Sequence, residues 1–146
     1  MSIDTGAAHW PAETTGPALW EIALGDLLDR QAAAFPDRPA IRVDEPARGI
    51  ESVWTYAALK ADADALARGL IDWGIAAGDR VAVMAPNCGE WVLLEYALAK
   101  AGAVLVTVNP ALKPAEIGYL LGQGQVAALI FATGFRGSDI ATDLRG

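Results

Sequence analysis

The sequence has few residues that could form covalent or metal cross-links. It contains one cysteine, Cys88, and one histidine, His9, among 146 residues. One cysteine cannot form an internal disulfide, and these two residues cannot supply the four ligands of a structural zinc site. The sequence therefore excludes a secreted disulfide scaffold and a zinc finger. A chain of this length buries enough surface on folding to form a core without such cross-links.

Positive charge is also scarce. Lysine and arginine total 11 against 18 acidic residues, which gives a net charge of −7. A chain this acidic is poorly suited to the nucleic-acid backbone, so we expect no nucleic-acid partner. The first basic residue is Arg30, so the basic start of a signal peptide is absent and we expect a cytoplasmic protein. The hydrophobic share of 53% excludes intrinsic disorder.

One uncharged stretch, residues 117–135, is long enough to require a membrane test. Residues 122–125, with the sequence Gly-Gln-Gly-Gln, would lie near the bilayer interior if this stretch were a spanning helix. Polar groups are costly there, so a helix, a turn and a buried strand explain the stretch better. We expect no transmembrane segment.

The hydrophobic pattern predicts an α/β fold. Residues 1–20 have no periodicity and are interpreted as an irregular arm, and residues 21–146 form the domain. Short strands at 40–43 and 52–54 predict a small N-terminal β-hairpin. Three apolar runs alternate with two helices, in the order 81–85, 89–101, 103–108, 114–121 and 126–131. This order is typical of a three-layer domain whose mostly parallel sheet is flanked by helices.

Two further helices precede the sheet. The first begins near Leu24 and stops before Pro36, with leucines and alanines predicted on one face. The second covers residues 55–73, with Thr55 as its N-cap and Gly74 as a left-handed C-cap. Its apolar positions recur every three or four residues and predict one buried stripe: Tyr56, Leu59, Ala63, Leu66, Leu70 and Trp73.

Residues 122–127 match the dinucleotide-binding pattern G-x-G-x-x-[GA], and Asp143 lies at a suitable distance for a ribose contact. That pattern must follow a strand and open a helix, whereas these glycines end a predicted helix and precede a strand. A helix C-cap followed by a tight turn is the better interpretation.

Nucleophilic catalysis has little support from the residues alone. Cys88 lies where a strand turns into a helix, a position that can stabilise a thiolate, but the only histidine is His9 in the arm. An inert, buried or half-buried thiol is favoured. The predicted helices carry acids that we expect on solvated faces: Asp62, Asp64, Glu90, Glu95 and Glu116. The sequence offers no catalytic residues and no metal cluster.

Seven short phrases nevertheless occur in a characteristic order. They are residues 35–41 (FPDRPAI), 54–59 (WTYAAL), 78–83 (GDRVAV), 86–87 with 90–91 (PN and EW), 101–104 (AGAV), 108–111 (VNPA) and 116–121 (EIGYLL). Together they resemble the N-terminal portion of the acyl-CoA synthetases, the fatty-acid–CoA ligase branch of the adenylate-forming AMP-binding superfamily. The resemblance covers about residues 20–146, placing them in the large AMP-binding domain before its ATP phosphate loop.

The resemblance implies a two-step reaction in a longer enzyme. A fatty or related carboxylic acid attacks ATP to give an acyl-adenylate and pyrophosphate, and the CoA thiol then displaces AMP. The resemblance also implies that the longer enzyme uses ATP, Mg and CoA, and that this chain alone holds no cofactor. The phosphate loop and catalytic lysine of the family have no match here, so we expect the 146-residue chain alone to be inactive.

One residue is a candidate for ligand contact through the same resemblance. Arg136 lies in residues 133–139, which follow the third parallel strand and are predicted to form a loop. In some related acetyl-CoA synthetases, basic residues on a similar loop contact the phosphate of the CoA adenosine. The alternative is a solvated arginine paired with Asp139.

Two other functions stay open for the chain. It could be a stand-alone α/β binding or regulatory module that lacks catalysis, or an assembly piece for a separate chain with the ATP site. The substrate acid, the reason for the short length and a homo-oligomeric state are not determined by the sequence.

Overall fold

The computed structural model describes residues 20–46, 49–135 and 138–143. The helices are α1 (Leu24–Ala34), α2 (Tyr56–Asp72), α3 (Gly89–Ala101), α4 (Pro114–Gln123) and α5 (Ile140–Asp143). The strands are β1 (Pro39–Glu45), β2 (Ile50–Thr55), β3 (Arg80–Met84), β4 (Val104–Thr107), β5 (Val126–Phe131), β6 (Gly134–Phe135) and β7 (Ser138–Asp139). The predicted α/β class is confirmed. Of the predicted arm, residues 1–19 lie outside the described residues, and so does His9.

The central sheet is parallel, with the strand order β4-β3-β5. Strand β3 pairs with β4 on one side and with β5 on the other. Residues 81–84 of β3 are all buried, because helices cover both faces of the sheet. This arrangement confirms the predicted sheet flanked by helices.

Alternate side chains of β3 enter two different cores, as the two-residue period of a strand requires. Val81 and Val83 pack with buried residues of α2 and α3. Ala82 and Met84 pack on the opposite face, against Ile117 of α4 and other buried residues. The strand is therefore the centre of a three-layer fold.

Strands β1 and β2 form the predicted antiparallel hairpin. The hairpin packs with α1 and α2 around a third core whose fully buried members are Leu28, Leu59 and Ala63. In α1, the prediction that the leucines and alanines share one buried face is wrong for Leu24, which is 40% exposed, and for Ala33 and Ala34, which are also exposed. The face turned to α2 and α3 consists mainly of Gly25, Leu28 and Ala32.

Helix α2 begins as predicted, because the Thr55 hydroxyl accepts a hydrogen bond from the backbone N–H of Ala58 at 3.2 Å. Gly74 follows the helix at a φ of +108°, in the region that favours glycine. The predicted buried stripe of α2 is confirmed at Leu59, Ala63 and Leu70 and is wrong at Trp73. Trp73 follows the helix and is 65% exposed, because the chain turns there.

The last part of the described chain differs from prediction in two details. Helix α4 continues to Gln123, and the left-handed residue after it is Gln125 at a φ of +49°, whereas Gly124 has a helical φ. Residues 133–139 contain the short antiparallel pair β6–β7, where a loop was expected.

Among the described residues, no helix is both long enough and apolar enough to cross a membrane.

Candidate functional site

A cavity of about 570 Å³ opens between the β1–β2 hairpin and the C-terminal ends of β3 and β5. Ligands of open α/β sheets bind at this edge, where the strands end and the following loops diverge. Its lining includes Val43 and Ser52 from the hairpin, Cys88 and Trp91 around the start of α3, and Thr133 after β5. This cavity is the candidate functional site.

The hairpin is held against the start of α3 by a close contact at Gly89. A Cβ atom at this position would overlap the Trp54 ring and would lie 3.0 Å from a Val43 methyl group. The Trp54 indole also donates a hydrogen bond to the Asp62 carboxylate at 3.0 Å, which ties the hairpin to α2. Glycine is therefore required where α3 meets the hairpin, and this contact positions one wall of the cavity.

Cys88 is the N-cap residue of α3, and it is half-buried beside the cavity. Burial is the largest influence on its thiol and raises the pKa above the ordinary value of 9.0, with the nearby Glu90 carboxylate acting in the same direction. A thiol with a raised pKa is mostly protonated at neutral pH and is a poor nucleophile. The predicted partial burial of the thiol is confirmed, and its inertness stays a prediction that the raised pKa supports.

A cluster of four charged side chains joins α1, α2 and α3 on the other side of the domain. We call Asp29, Lys60, Asp64 and Lys100 the ion-pair cluster. The Lys100 ammonium group contacts the Asp64 carboxylate at 2.7 Å and also contacts Asp29. Lys60 contacts Asp64 at 2.6 Å and Asp29 at 3.7 Å. Each ammonium group therefore bridges two carboxylates.

The cluster shifts two pKa values in the directions expected of paired charges. Hydrogen bonds, first from Lys100 and then from Lys60, lower the pKa of Asp64 below 3.8. For Lys100, burial is the largest single influence and acts to lower the pKa. The hydrogen bonds to Asp29 and Asp64, with the Coulombic attraction of the same two carboxylates, outweigh it and raise the pKa above 10.5. The pairing thus stabilises the charged forms of Asp64 and Lys100, and the ion pairs join α1, α2 and α3.

The acidic residues predicted on solvated faces do not share one role. The prediction is wrong for Asp64, which is half-buried in the ion-pair cluster. Asp62 is exposed as predicted, and it also accepts a hydrogen bond from the Trp54 indole. Glu95 is also only half-exposed. Glu116 accepts from the backbone N–H of Lys113 at 2.8 Å and so caps α4. The spacing of four between Lys60 and Asp64 was the available clue to the cluster.

Several predicted residues are not brought together by the structure. Arg136 and Gly137 lie outside the described residues, although the structure describes their neighbours in β6 and β7. The glycines of residues 122–127 end α4 and precede β5, which agrees with rejecting a dinucleotide site. The cavity residues Glu45 and Ser52 were missed, because no local motif marks them, whereas Thr133 lies in the segment 133–139 that the sequence indicated.

The described residues do not fit a metal ion. Within residues 20–46, 49–135 and 138–143, no group of three or more histidine, cysteine, aspartate or glutamate side chains could hold one. The magnesium implied for the longer enzyme therefore has no ligand set in the described part of this chain.

Comparisons with known proteins give one consistent family. The model of the family described as AMP-binding enzyme matches residues 28–144. The chain is 45% identical over 107 residues to the acyl-CoA ligase SID4 of Ajellomyces capsulatus, covering 73% of this chain and 18% of that protein. It is 38% identical over 137 residues to the human mitochondrial medium-chain acyl-CoA ligase ACSF2, covering 93% of this chain and 22% of that protein.

The fold is similar to that of solved structures as well. A Rhodopseudomonas palustris protein assigned as a long-chain-fatty-acid CoA ligase superposes with a TM-score of 0.72 and 37% identity. The match covers 88% of this chain and 30% of that chain. By the shares of 18% and 22%, the chain spans about a fifth of the length of the ligases SID4 and ACSF2.

Proposed function

The chain belongs to the AMP-binding enzyme family, and we propose that it is the N-terminal part of an ATP-dependent acyl-CoA synthetase. In this proposal the longer enzyme activates a fatty or related carboxylic acid as an acyl-adenylate and transfers the acyl group to CoA. The observation that carries the proposal is the identity of 34–45% to proteins named as acyl-CoA ligases. ATP, CoA and the acid are substrates of the longer enzyme.

The described residues supply structure to this enzyme and leave its chemistry to other segments. Nucleotidyl transfer requires positioned donors for the phosphates and a metal ion that neutralises their charge. The described residues lack a metal-ligand group, and their ion-pair cluster holds Lys60 and Lys100 against carboxylates. We therefore propose that the 146-residue chain alone is inactive. A cytoplasmic location stays a prediction.

The experiment for this function starts from the reading frame that contains the chain. We expect the frame to continue beyond Gly146 and its full product to form acyl-CoA and AMP from ATP, CoA, Mg²⁺ and a saturated fatty acid. A series of acids from four to sixteen carbons would identify the substrate length. A frame that stops at Gly146 would overturn the proposal and favour a stand-alone module. A full product that releases ADP would contradict the acyl-adenylate step.

We also propose that Arg136 contacts the phosphate on the adenosine of CoA in the longer enzyme. The support is its place after the third parallel strand and its planar guanidinium group, which can donate two parallel hydrogen bonds to a phosphate. In the longer enzyme, Arg136→Ala should raise the KM for CoA and leave the KM for dephospho-CoA and the adenylation half-reaction unchanged. An equal response to both thiols would reject the contact.

A further inference from the structure

Helix α1 is attached to the rest of the domain by little apolar surface. Of its eleven residues, three are buried: Gly25, Leu28 and Ala32. Leu28 is the large one among them, and it packs in the third core beside Leu59 and Ala63. Glycine and alanine add little apolar area, so the apolar attachment of α1 depends mainly on one leucine. An element with so few buried apolar contacts is among the first parts of a structure to open.

Ion pairs supply the remaining attachment of α1. Asp29 is the member of the ion-pair cluster that lies on α1, and its carboxylate contacts the ammonium groups of Lys60 and Lys100. The stem of Lys100 lies along α1, because a Cβ at Gly25 would be 3.0 Å from its Cγ and 3.5 Å from its Cα. The Asp29 side chain is 44% exposed, so water and salt reach the ion pairs that hold the helix.

The rest of the domain keeps its own contacts without α1. Among the described residues, no member of the two cores beside the central sheet belongs to α1. The Asp64 carboxylate contacts Lys60 and Lys100 directly, so α2 and α3 stay joined when α1 leaves. Arg30 stacks at 4.7 Å on the ring of Trp20, which precedes the helix, so this contact moves with α1. Release of α1 therefore leaves the sheet and its main core in place.

The turn after α1 supplies a fixed pivot. The backbone N–H of Ala57 donates to the Pro36 carbonyl at 3.0 Å, and the backbone N–H of Tyr56 donates to the Arg38 carbonyl at 3.0 Å. Both hydrogen bonds tie the turn to the start of α2. Phe35 is the C-cap residue between the helix and this turn. A change of backbone angles at Phe35 is sufficient to move α1 away from α2 and α3.

We propose that α1 is a strap that opens separately from the rest of the domain, and that ionic strength controls the opening. In the open state, the strap swings about Phe35 and uncovers Leu59 and Ala63 of α2. Salt favours the open state because it screens the ion pairs of Asp29, since the screening length falls from about 10 Å at 0.1 M to about 3 Å at 1 M salt. This inference goes beyond the proposed function, because the opening needs no substrate.

The test is amide hydrogen exchange of the 146-residue chain, followed by two-dimensional NMR at about 0.1 M and about 1 M NaCl. We expect the amides of residues 28–34 in α1 to be less protected than those of residues 94–101 in α3. The α1 amides should lose protection severalfold at the higher salt concentration, whereas the α3 amides should not. Equal protection and an equal salt response of the two helices would show that α1 opens only with the whole domain, and would overturn the proposal.

Matched variants test whether the ion pairs control the strap. Asp29→Asn keeps the shape of the side chain and removes the charge that contacts Lys60 and Lys100. Its α1 amides should exchange about tenfold faster than those of the wild type at low salt, and added salt should no longer accelerate them. Asp26→Asn is the control, because it removes the same charge from an exposed position of α1 outside the ion-pair cluster. Its salt response should equal that of the wild type. A wild-type salt response in Asp29→Asn would exclude control by the ion pairs.

Discussion

The two ends of α3 lie in opposite environments. At its start, Cys88 and Trp91 border an open cavity, and the hairpin contacts Gly89 of the helix through the ring of Trp54. At its end, Leu98 is fully buried and Lys100 lies within the ion-pair cluster. The N-terminal end of α3 therefore borders a ligand-sized cavity, and its C-terminal end packs in the core of the domain. The last turn of α3 therefore contributes to stability, whereas its first turn lines the cavity.

The largest loss of stability is expected at the C-terminal end of α3. Leu98→Ala removes a side chain with 0% exposure from the main core and should lower the free energy of unfolding by roughly 2–5 kcal/mol. Leu94→Ala is the matched control, because Leu94 is half-buried and already borders the cavity. Urea denaturation should show a clearly smaller loss for Leu94→Ala. Equal losses would contradict the contrast between the two ends.

A smaller effect is expected at the contact between α3 and the hairpin. Gly89→Ala places a methyl group against the Trp54 ring and Val43, and should destabilise the chain by about 1–3 kcal/mol. Gly69→Ala is the control, because a Cβ there meets nothing within 4 Å inside α2, and this change should stabilise by about 0.5–1 kcal/mol. The same thermal or urea melts measure both variants. If both changes had the same sign, the hairpin would not depend on this contact.

The smallest effect is expected in the ion-pair cluster, where it should depend on pH. Lys100→Met keeps the aliphatic stem and removes the charge that contacts Asp29 and Asp64, and should cost about 1–2 kcal/mol at pH 7 after allowance for the partial exposure of the carboxylates. Because the folded-state pKa of Asp64 is lowered, its contribution is present above its ordinary value of 3.8 and is lost as the pH falls through the folded-state value.

The Lys100 pKa is raised, so its contribution is complete below 10.5 and is lost only as the pH rises through the folded-state value. The difference between wild type and Lys100→Met should therefore be constant from about pH 5 to pH 9 and shrink towards acid pH. Urea melts at pH 7 and pH 3 test this. A difference that is the same at both values would show that packing, and not charge, is responsible.

Much of the fold could be predicted from the sequence because its elements have strong local patterns. The bounds of α3 and β5 agree with the prediction, since each is an apolar segment limited by glycine, glutamine or a turn. Thr55 identified the start of α2 because a hydroxyl cap is a local interaction. Trp73 was misplaced because its exposure depends on where the chain turns after the helix.

The candidate site was harder to predict because it is built from distant residues. Val43 and Ile130 meet at the cavity although 87 positions separate them (130 − 43) and no motif links them. Gly89 was not singled out, because its role comes from the ring of Trp54 in another element. The partnership of Asp29 with Lys100, 71 positions apart, is equally invisible to local periodicity.

The central claim is that the 146-residue chain forms a structural part of an acyl-CoA synthetase and does not carry its catalytic groups. ATP–pyrophosphate exchange tests it most directly, with the isolated chain, Mg²⁺ and a saturated fatty acid, beside the full product of the reading frame. The account predicts exchange by the full product and exchange equal to the enzyme-free blank for the isolated chain. Acid-dependent exchange above the blank by the 146-residue chain would contradict it.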